Sequence, residues 1–140
     1  MSDKVFLDTN IIVYAFDQLE PGKMKVARKL LTEGAASKGA IVSYQVVQEF
    51  VNVALRRFEM TMSQSELEEF LFEALFPMMA VSSSPALVIE ALRLGTSHQL
   101  GWYDSLIVAA ALERSCQVLY SEDLQHGRRF GNLVVQNPFV

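Results

Sequence analysis

Val5-Phe6-Leu7-Asp8-Thr9-Asn10, followed at once by Ile11-Ile12-Val13, is the stretch on which the reading of this chain turns. Three apolar residues give way to an acid, a hydroxyl and an amide, and then apolar residues resume. A short apolar run closed by turn-forming residues reads as a buried strand, and Ile11 onward reads as the start of a helix. In open α/β sheets, ligands bind in the crevice beyond the carboxyl ends of the strands. Asp8 stands at such an end. A local role competes with chemistry, because Asp, Thr and Asn all satisfy free backbone N–H groups at a helix entry. From this stretch alone the two roles are evenly balanced.

Outward from Asp8, the pattern of strand then helix repeats. Ile11 to Asp17 gives a short helix that Pro21-Gly22 breaks. Lys23 to Ala36 carries Met24, Ala27, Leu30 and Leu31 at helical spacing, with a basic outer face. Ala40-Ile41-Val42-Ser43 is a second strand with its cap, opening a helix from Tyr44 to about Glu59. Ser63-Gln64-Ser65-Glu66 has capping-box spacing ahead of a stripe of Leu67, Phe70, Leu71, Ala74 and Leu75, and Pro77 is expected to stop that helix. Met78 to Val81 reads as a third strand. Ser84-Pro85 starts another helix, which Gly95 is placed to end before a polar loop from Thr96 to Gly101. Leu106 to Leu112 is apolar throughout, as befits a helix inside the molecule. Gln117 to Ser121 is a fourth strand and Leu133-Val134-Val135 a fifth. Connections too long for hairpins imply right-handed crossovers, so the expectation is one three-layer α/β/α domain over residues 1–140 with a mainly parallel central sheet.

Bulk properties fit that reading. A chain of 140 residues, 51% hydrophobic and 20% charged, is ordinary globular composition. No apolar run approaches the roughly 20 residues of a membrane span. Met1-Ser2-Asp3-Lys4 runs straight into the first strand, so no signal peptide is expected. A single cysteine, Cys116, precludes an internal disulfide and suits a reducing compartment, so cytoplasm is expected. The net charge of −4 argues against a broad basic surface for nucleic acid. A polyanionic substrate would need a bound divalent cation or a small basic patch.

Acids at four positions border or interrupt apolar elements. Asp8 and the pair Glu122-Asp123 follow strands, and Asp104 precedes the all-apolar helix, where an N-cap or first-turn acid is the plain alternative. Glu49 lies in a polar stripe with Gln45, Gln48, Asn52 and Arg56, which either faces solvent or lines a polar crevice. Their order along the chain resembles that of the PIN-domain family of metal-dependent nucleases. The residues that carry the resemblance are Leu7-Asp8-Thr9-Asn10, Gln48-Glu49-Phe50, Tyr103-Asp104-Ser105 with the following Leu106 to Ala111, and Ser121-Glu122-Asp123-Leu124. It covers the whole chain and is nearest in character to the VapC-type ribonuclease toxins of bacterial toxin–antitoxin pairs.

The resemblance implies that Asp8, Glu49, Asp104 and Asp123 gather around Mg²⁺ or Mn²⁺ as both catalytic and metal-binding residues, with Thr9, Asn10, Ser121 and Glu122 in support. Ser121 stands where many members carry threonine. The doubled acid leaves the fourth ligand open between Glu122 and Asp123; Asp123 has the family's spacing of two residues after the hydroxyl. An RNA substrate, a cognate antitoxin and a homodimer are further implications. The chemistry agrees: clustered carboxylates raise one another's pKa unless a cation is present. Oxygen donors without a histidine–cysteine cluster favour Mg²⁺ or Mn²⁺ over zinc. The expected reaction is hydrolysis of an RNA phosphodiester by metal-activated water, in line with the departing 3′ oxygen.

Candidates for phosphate contact are His126, Arg128 and Arg129, with Arg56-Arg57 a second group. Solvated turns explain these equally well. Trp102 and Tyr103 read first as core aromatics entering a buried helix, and second as a stacking surface. Phe70, Phe72 and Phe76 read as core or interface, and His98 as a surface residue. Two other functions compete. An aspartyl-phosphate phosphoryl-transfer domain also places acids beyond parallel strands, but Asn10 stands where its second acid belongs. A catalytically inactive PIN fold acting as an interaction module would have lost its acids first.

Overall fold

The first strand is short because it must end where Asp8 turns out of the sheet. In the computed structural model, which describes residues 3–57 and 61–140, β1 is Val5–Leu7. The helix α1, Thr9–Tyr14, follows without a loop, with Asp8 as its N-cap. The remaining elements are α2 (Pro21–Ser37), β2 (Ala40–Ser43), α3 (Tyr44–Arg56) and α4 (Gln64–Phe70), then α5 (Phe76–Met78) and β3 (Met79–Val81). They are followed by α6 (Pro85–His98), α7 (Trp102–Glu113), β4 (Val118–Tyr120), β5 (Arg129–Phe130) and β6 (Leu133–Gln136).

The six strands form one sheet in the order β3-β2-β1-β4-β6-β5. Every pairing is parallel except β5 with β6. From β1 the chain builds outward to β2 and β3 on one side, and then to β4 and β6 on the other. The order therefore reverses between β1 and β4, which is where an open α/β sheet leaves its ligand crevice. Helix α1 packs on α2 and α3, while α6 packs chiefly on α7, giving the outer layers of an α/β/α fold. Phe6, Leu7, Ile11, Ile12, Val46, Phe50 and Leu119 are buried in the core beneath that crevice.

Several boundaries differ from expectation for identifiable reasons. Pro21 does not break a helix; it occupies the first turn of α2, where its missing N–H has no cost. The helix expected to run to Asp17 ends at Tyr14. The expected end of α3 at Glu59 lies outside the described residues, and its last residue among them is Arg56.

Pro77 does not stop its helix. A π-helical turn at Leu71–Leu75, in which the Phe76 N–H donates to the Leu71 carbonyl, widens the backbone just before the proline, and helix continues through Met78. Such a turn relieves the clash between a proline ring and the carbonyl four residues back. Met78 is accordingly helical rather than the first residue of β3.

Gly95 does not end α6, which continues to a left-handed cap at Gln99. A Cβ at Gly95 would lie 2.9 Å from Ser105 Oγ, so the missing side chain lets α6 approach α7. Thr96 to His98, expected in a loop, are helical. Finally, β5 is an antiparallel edge strand of two residues that no periodicity could announce. Among the described residues no helix is long and apolar enough to cross a membrane.

Candidate active site

Asp8 is 6% exposed, at the carboxyl end of β1, and both of its oxygens are held. The Thr9 N–H donates to Oδ1 at 2.7 Å and the Ser121 hydroxyl donates to Oδ2 at 2.8 Å. A capping acid ordinarily reaches the N–H two or three residues on. Asp8 reaches only its neighbour and turns its other oxygen across to the end of β4. Capping and site geometry are therefore served by the same side chain.

Asn10 ties the crevice together. Its Nδ2 lies 3.4 Å from Asp8 Oδ2, 3.4 Å from Ser121 Oγ and 3.2 Å from Asp123 Oδ2, while its Oδ1 accepts the Glu122 N–H. Ser121 is fully buried, and its Oγ also accepts from the Asp123 N–H, which shapes the turn carrying that acid. On the opposite wall Glu49 Oε1 accepts from Thr9 Oγ1 at 3.2 Å and from Gln45 Nε2 at 3.0 Å. The polar stripe of α3 thus lines a crevice at Gln45 and Glu49 instead of facing open solvent. Gln45 Nε2 lies 3.4 Å from the Tyr103 carbonyl as well, joining the starts of α3 and α7. Asp104 lies in the first turn of α7, and its N-cap is Gly101.

The electrostatics follow from what is missing around these groups. Among the described residues no ion pair involves Asp8, Glu49, Asp104 or Asp123. Burial pushes the Asp8 carboxyl up to about 7; the Ser121 and Thr9 hydrogen bonds oppose this, and the charges of Asp123 and Glu49 add to it. Asp104 is raised too, by burial and then by Asp123, with no hydrogen bond to counter them.

Glu122 is the contrast. Tyr14 donates to its Oε1 at 2.5 Å and Lys23 Nζ to its Oε2 at 2.6 Å. Burial would raise its pKa, but these two partners outweigh burial and lower it. Lys23 also sits 4.8 Å over the Tyr14 ring and 5.6 Å over the Phe139 ring. With both oxygens engaged, Glu122 is built into a clamp between β4, α1 and α2; both acids line the crevice, but Asp123 has no ion pair among the described residues. Nothing in the sequence announces that clamp, whose partners lie 108 and 99 residues from Glu122.

The acids offer only hard oxygen donors and no basic neutralising partner, which suits Mg²⁺ or Mn²⁺. Among the described residues no group of three or more acidic, histidine or cysteine side chains is placed to hold a metal ion. Mg²⁺ ordinarily keeps several waters and takes only one or two carboxylates.

A crevice of about 370 Å³ runs from Asp123, Glu49 and Asn10 to Asn52, Arg56 and Arg57. Arg56 is exposed there, while Arg57 Nη2 pairs with buried Asp17 at 3.2 Å. Of the other basic candidates, Arg128 donates to the His98 carbonyl and lies 5.1 Å over the Phe130 ring, and His126 Nδ1 accepts from the Asn137 N–H. Both therefore make contacts within the fold, whereas Arg129 is exposed on β5. His98 is half-buried, edge-on to Phe130. Trp102 and Tyr103 are not core aromatics: they are 40% and 67% exposed at the rim. The first two residues of α7 project beyond the packed layers, and burial begins at Ser105.

The PIN domain family model matches residues 5–129. Among solved structures the fold is similar to a toxin–antitoxin complex from Klebsiella pneumoniae, at 17% identity and a TM-score of 0.69 over 96% of this chain and 98% of that one. It is also similar to VapBC2 from Rickettsia felis bound to a promoter DNA fragment, at 21% identity and a TM-score of 0.63 over 94% and 96%. A third is VapC20 of Mycobacterium tuberculosis, a toxin that cleaves the sarcin–ricin loop, at 18% identity and a TM-score of 0.62 over 86% and 90%. No curated protein sequence matches the chain.

Proposed function

The chain belongs to the PIN domain family, and from that premise we propose that it is a divalent-cation-dependent endoribonuclease, the toxin of a toxin–antitoxin pair. The observation that carries this reading is Asp8: a buried carboxylate between β1 and β4, gripped by Ser121 and Thr9, near other acids and paired with no base among the described residues. A structural acid at that depth would be given a cation, as Asp17, 4% exposed, is given Arg57.

Asp8, Asp104 and Asp123 would hold the Mg²⁺ or Mn²⁺, with Glu49 acting directly or through water. The ion, when bound, would lower the pKa of a water, polarise the phosphoryl group and stabilise the departing oxygen. Ser121 and Thr9 fix the direction of the Asp8 oxygens, and Asn10 fixes Asp123 relative to Asp8. Gln45 and Thr9 hold one oxygen of Glu49, and among the described residues the other has no hydrogen bond. Hydrolysis would join the water oxygen to phosphorus and break the bond to the 3′ oxygen, leaving a 5′ phosphate. Arg56 at the far end of the crevice and exposed Arg129 are the basic groups available to a neighbouring phosphate.

The aspartyl-phosphate alternative is weaker, because it needs a lysine for the phosphate and Lys23 is engaged by Glu122. The partners in this reading are RNA, an antitoxin and a second copy of the chain, all in the cytoplasm, with residues 1–140 acting as one nuclease domain. Exposed Phe72, Phe76, Val88, Ile89 and Leu92 give apolar surface for such partners. The test is cleavage of single-stranded RNA in Mg²⁺ or Mn²⁺, with product ends mapped. Cleavage leaving a 5′ phosphate and abolished by chelator is expected; full-rate cleavage in excess chelator would end this reading.

A further inference from the structure

Two tyrosines flank the acids on the side of the crevice away from Arg56. Tyr44 opens α3 and is 45% exposed; Tyr103, in the first turn of α7, is 67% exposed. They line one small cleft of about 130 Å³, together with Gln48, Ser82, Ser83 and Leu106. Large aromatic rings are costly to leave in water, and neither ring has an aromatic partner among the described residues, unlike Phe16, Phe50 and Phe70, which pack together.

The cleft is joined to the acids by the polypeptide itself. Tyr103 immediately precedes Asp104, and Gln45, next to Tyr44, bonds both Glu49 and the Tyr103 carbonyl. That amide ties the start of α7 to Glu49 on α3. The cleft holds the volume of about four waters, enough for one flat heterocycle and too little for a base pair. Its rim carries an amide and two hydroxyls, groups that hydrogen-bond a base edge, while the aromatic faces accept any base by stacking.

We propose that this cleft seats one unpaired base of the RNA beside the cleaved phosphate, stacked on Tyr103 and Tyr44, so that the protein selects single-stranded substrate. The inference rests on the nuclease reading above and adds to it a base-binding subsite. It also supplies affinity that a net charge of −4 cannot, because stacking needs no positive surface.

Trp102, the sole tryptophan of the chain and 40% exposed beside Tyr103, is a built-in reporter. The experiment uses a mixed-sequence single-stranded RNA octamer with a 3′ fluorophore. Binding is measured in Mg²⁺ by anisotropy and by Trp102 quenching, on Asp8→Asn protein so that no cleavage intervenes. Cleavage kinetics are measured on proteins with Asp8 intact. Tyr103→Ala and Tyr44→Ala should each weaken binding about tenfold and raise KM more than they lower kcat. Tyr103→Phe should bind like its parent, and a duplex of the same length should bind no better to the parent than to Tyr103→Ala.

Leu19→Ala, which removes a 70% exposed apolar side chain that has no part in the site, controls for general loss of apolar surface and should change nothing. If the parent cleaves RNA but both tyrosine-to-alanine proteins bind and cleave as it does, the cleft is not a base site and the nuclease reading stands alone. If a tyrosine loss falls on kcat with KM and Kd unchanged, stacking is likewise overturned. If the parent neither binds nor cleaves RNA, the nuclease reading falls and this subsite with it.

Discussion

Asp8 and Glu122 follow β1 and β4, strands that lie side by side in the sheet, and their charges meet opposite fates. Glu122 receives a lysine at 2.6 Å and a tyrosine hydroxyl at 2.5 Å, and its pKa falls. Asp8 receives a serine hydroxyl and a backbone N–H, sits among other acids, and its pKa rises to about 7. Neutral donors can orient a carboxylate without cancelling its charge; a lysine does both. On the reading proposed above, the difference separates an acid that holds the fold from an acid held in readiness for a cation.

The largest expected effect breaks the comparison at Asp8. Asp8→Asn keeps the shape and one oxygen to accept from the Thr9 N–H, but removes the charge and puts an NH₂ donor where the Ser121 hydroxyl now donates. Cleavage should fall by more than the roughly 100-fold that loss of an outer-shell partner costs. Folding should respond in the other direction. A carboxyl whose folded pKa is raised favours the folded state fully only below its unfolded value, and that contribution is lost as pH climbs through the folded value. Metal-free wild type should therefore lose stability between about pH 4 and pH 7, by about 4 kcal/mol if the whole shift is realised. Asp8→Asn should flatten that slope. Urea titrations in chelator at pH 5 and pH 7.5 measure it; an equal slope in both proteins would mean that Asp8 is not a strained acid.

Ser121→Ala is the next step down. It removes the stronger of the two bonds that oppose the rise at Asp8 and leaves Asp8 Oδ2 with only the distant Asn10 amide. A loss of about 10- to 100-fold in cleavage is expected, with Ser121→Thr restoring most of it because the hydroxyl is kept. Failure of threonine to rescue would assign Ser121 to packing alone.

At Glu122 the comparison is sharpened by Lys23→Met, which removes the cation and leaves the carboxylate partly buried. Unfolding should become easier at neutral pH, and the double variant with Glu122→Gln should recover most of the loss, since two neutral side chains need no pairing. Cleavage should fall less than for Ser121→Ala, because Lys23 acts on Asp123 only through the turn. Full independence of the two substitutions in a double-mutant cycle would dissolve the clamp.

How far these two acids could be read from sequence follows from how local their signals are. Val5-Phe6-Leu7 ending at Asp8 announces strand, turn and helix within nine residues, and the same pattern recurs at Ser43 and Ser84. Parallel topology follows from connection lengths, and the order of the acids carries the family resemblance. The clamp of Tyr14, Lys23 and Glu122 joins residues from three elements with no motif, so only the assembled sheet displays it. Gly95 and Pro77 were legible as breakers of helix but not as what they are here, a close-contact residue and a proline accommodated by a π turn. Both depend on a neighbouring helix or on a hydrogen-bond shift that composition does not encode. The outward position of Trp102 and Tyr103 was hidden by the apolar run behind them, whose burial starts only at Ser105.

The smallest effect on folding belongs to Asp104, and it tests whether the acids act as a set. Its carboxyl is raised by burial and then by Asp123, but it is only partly buried, so water screens much of the repulsion. Metal-free wild type should lose a little stability as pH rises through the folded pKa of Asp104, and Asp104→Asn should not. At neutral pH the variant should therefore melt slightly higher in chelator, by less than about 1 kcal/mol. Divalent cation should reverse the order, because an ion that binds the folded wild type stabilises it by about 2.7 kcal/mol at a hundredfold excess over Kd. A first-turn acid that merely complements the dipole of α7 behaves differently: its removal costs a few tenths of a kcal/mol whether or not metal is present. Thermal melts of both proteins, each in chelator and in Mn²⁺, separate the cases. A difference in Tm that ignores metal would remove Asp104 from the site and leave Asp8, Glu49 and Asp123 to hold the ion.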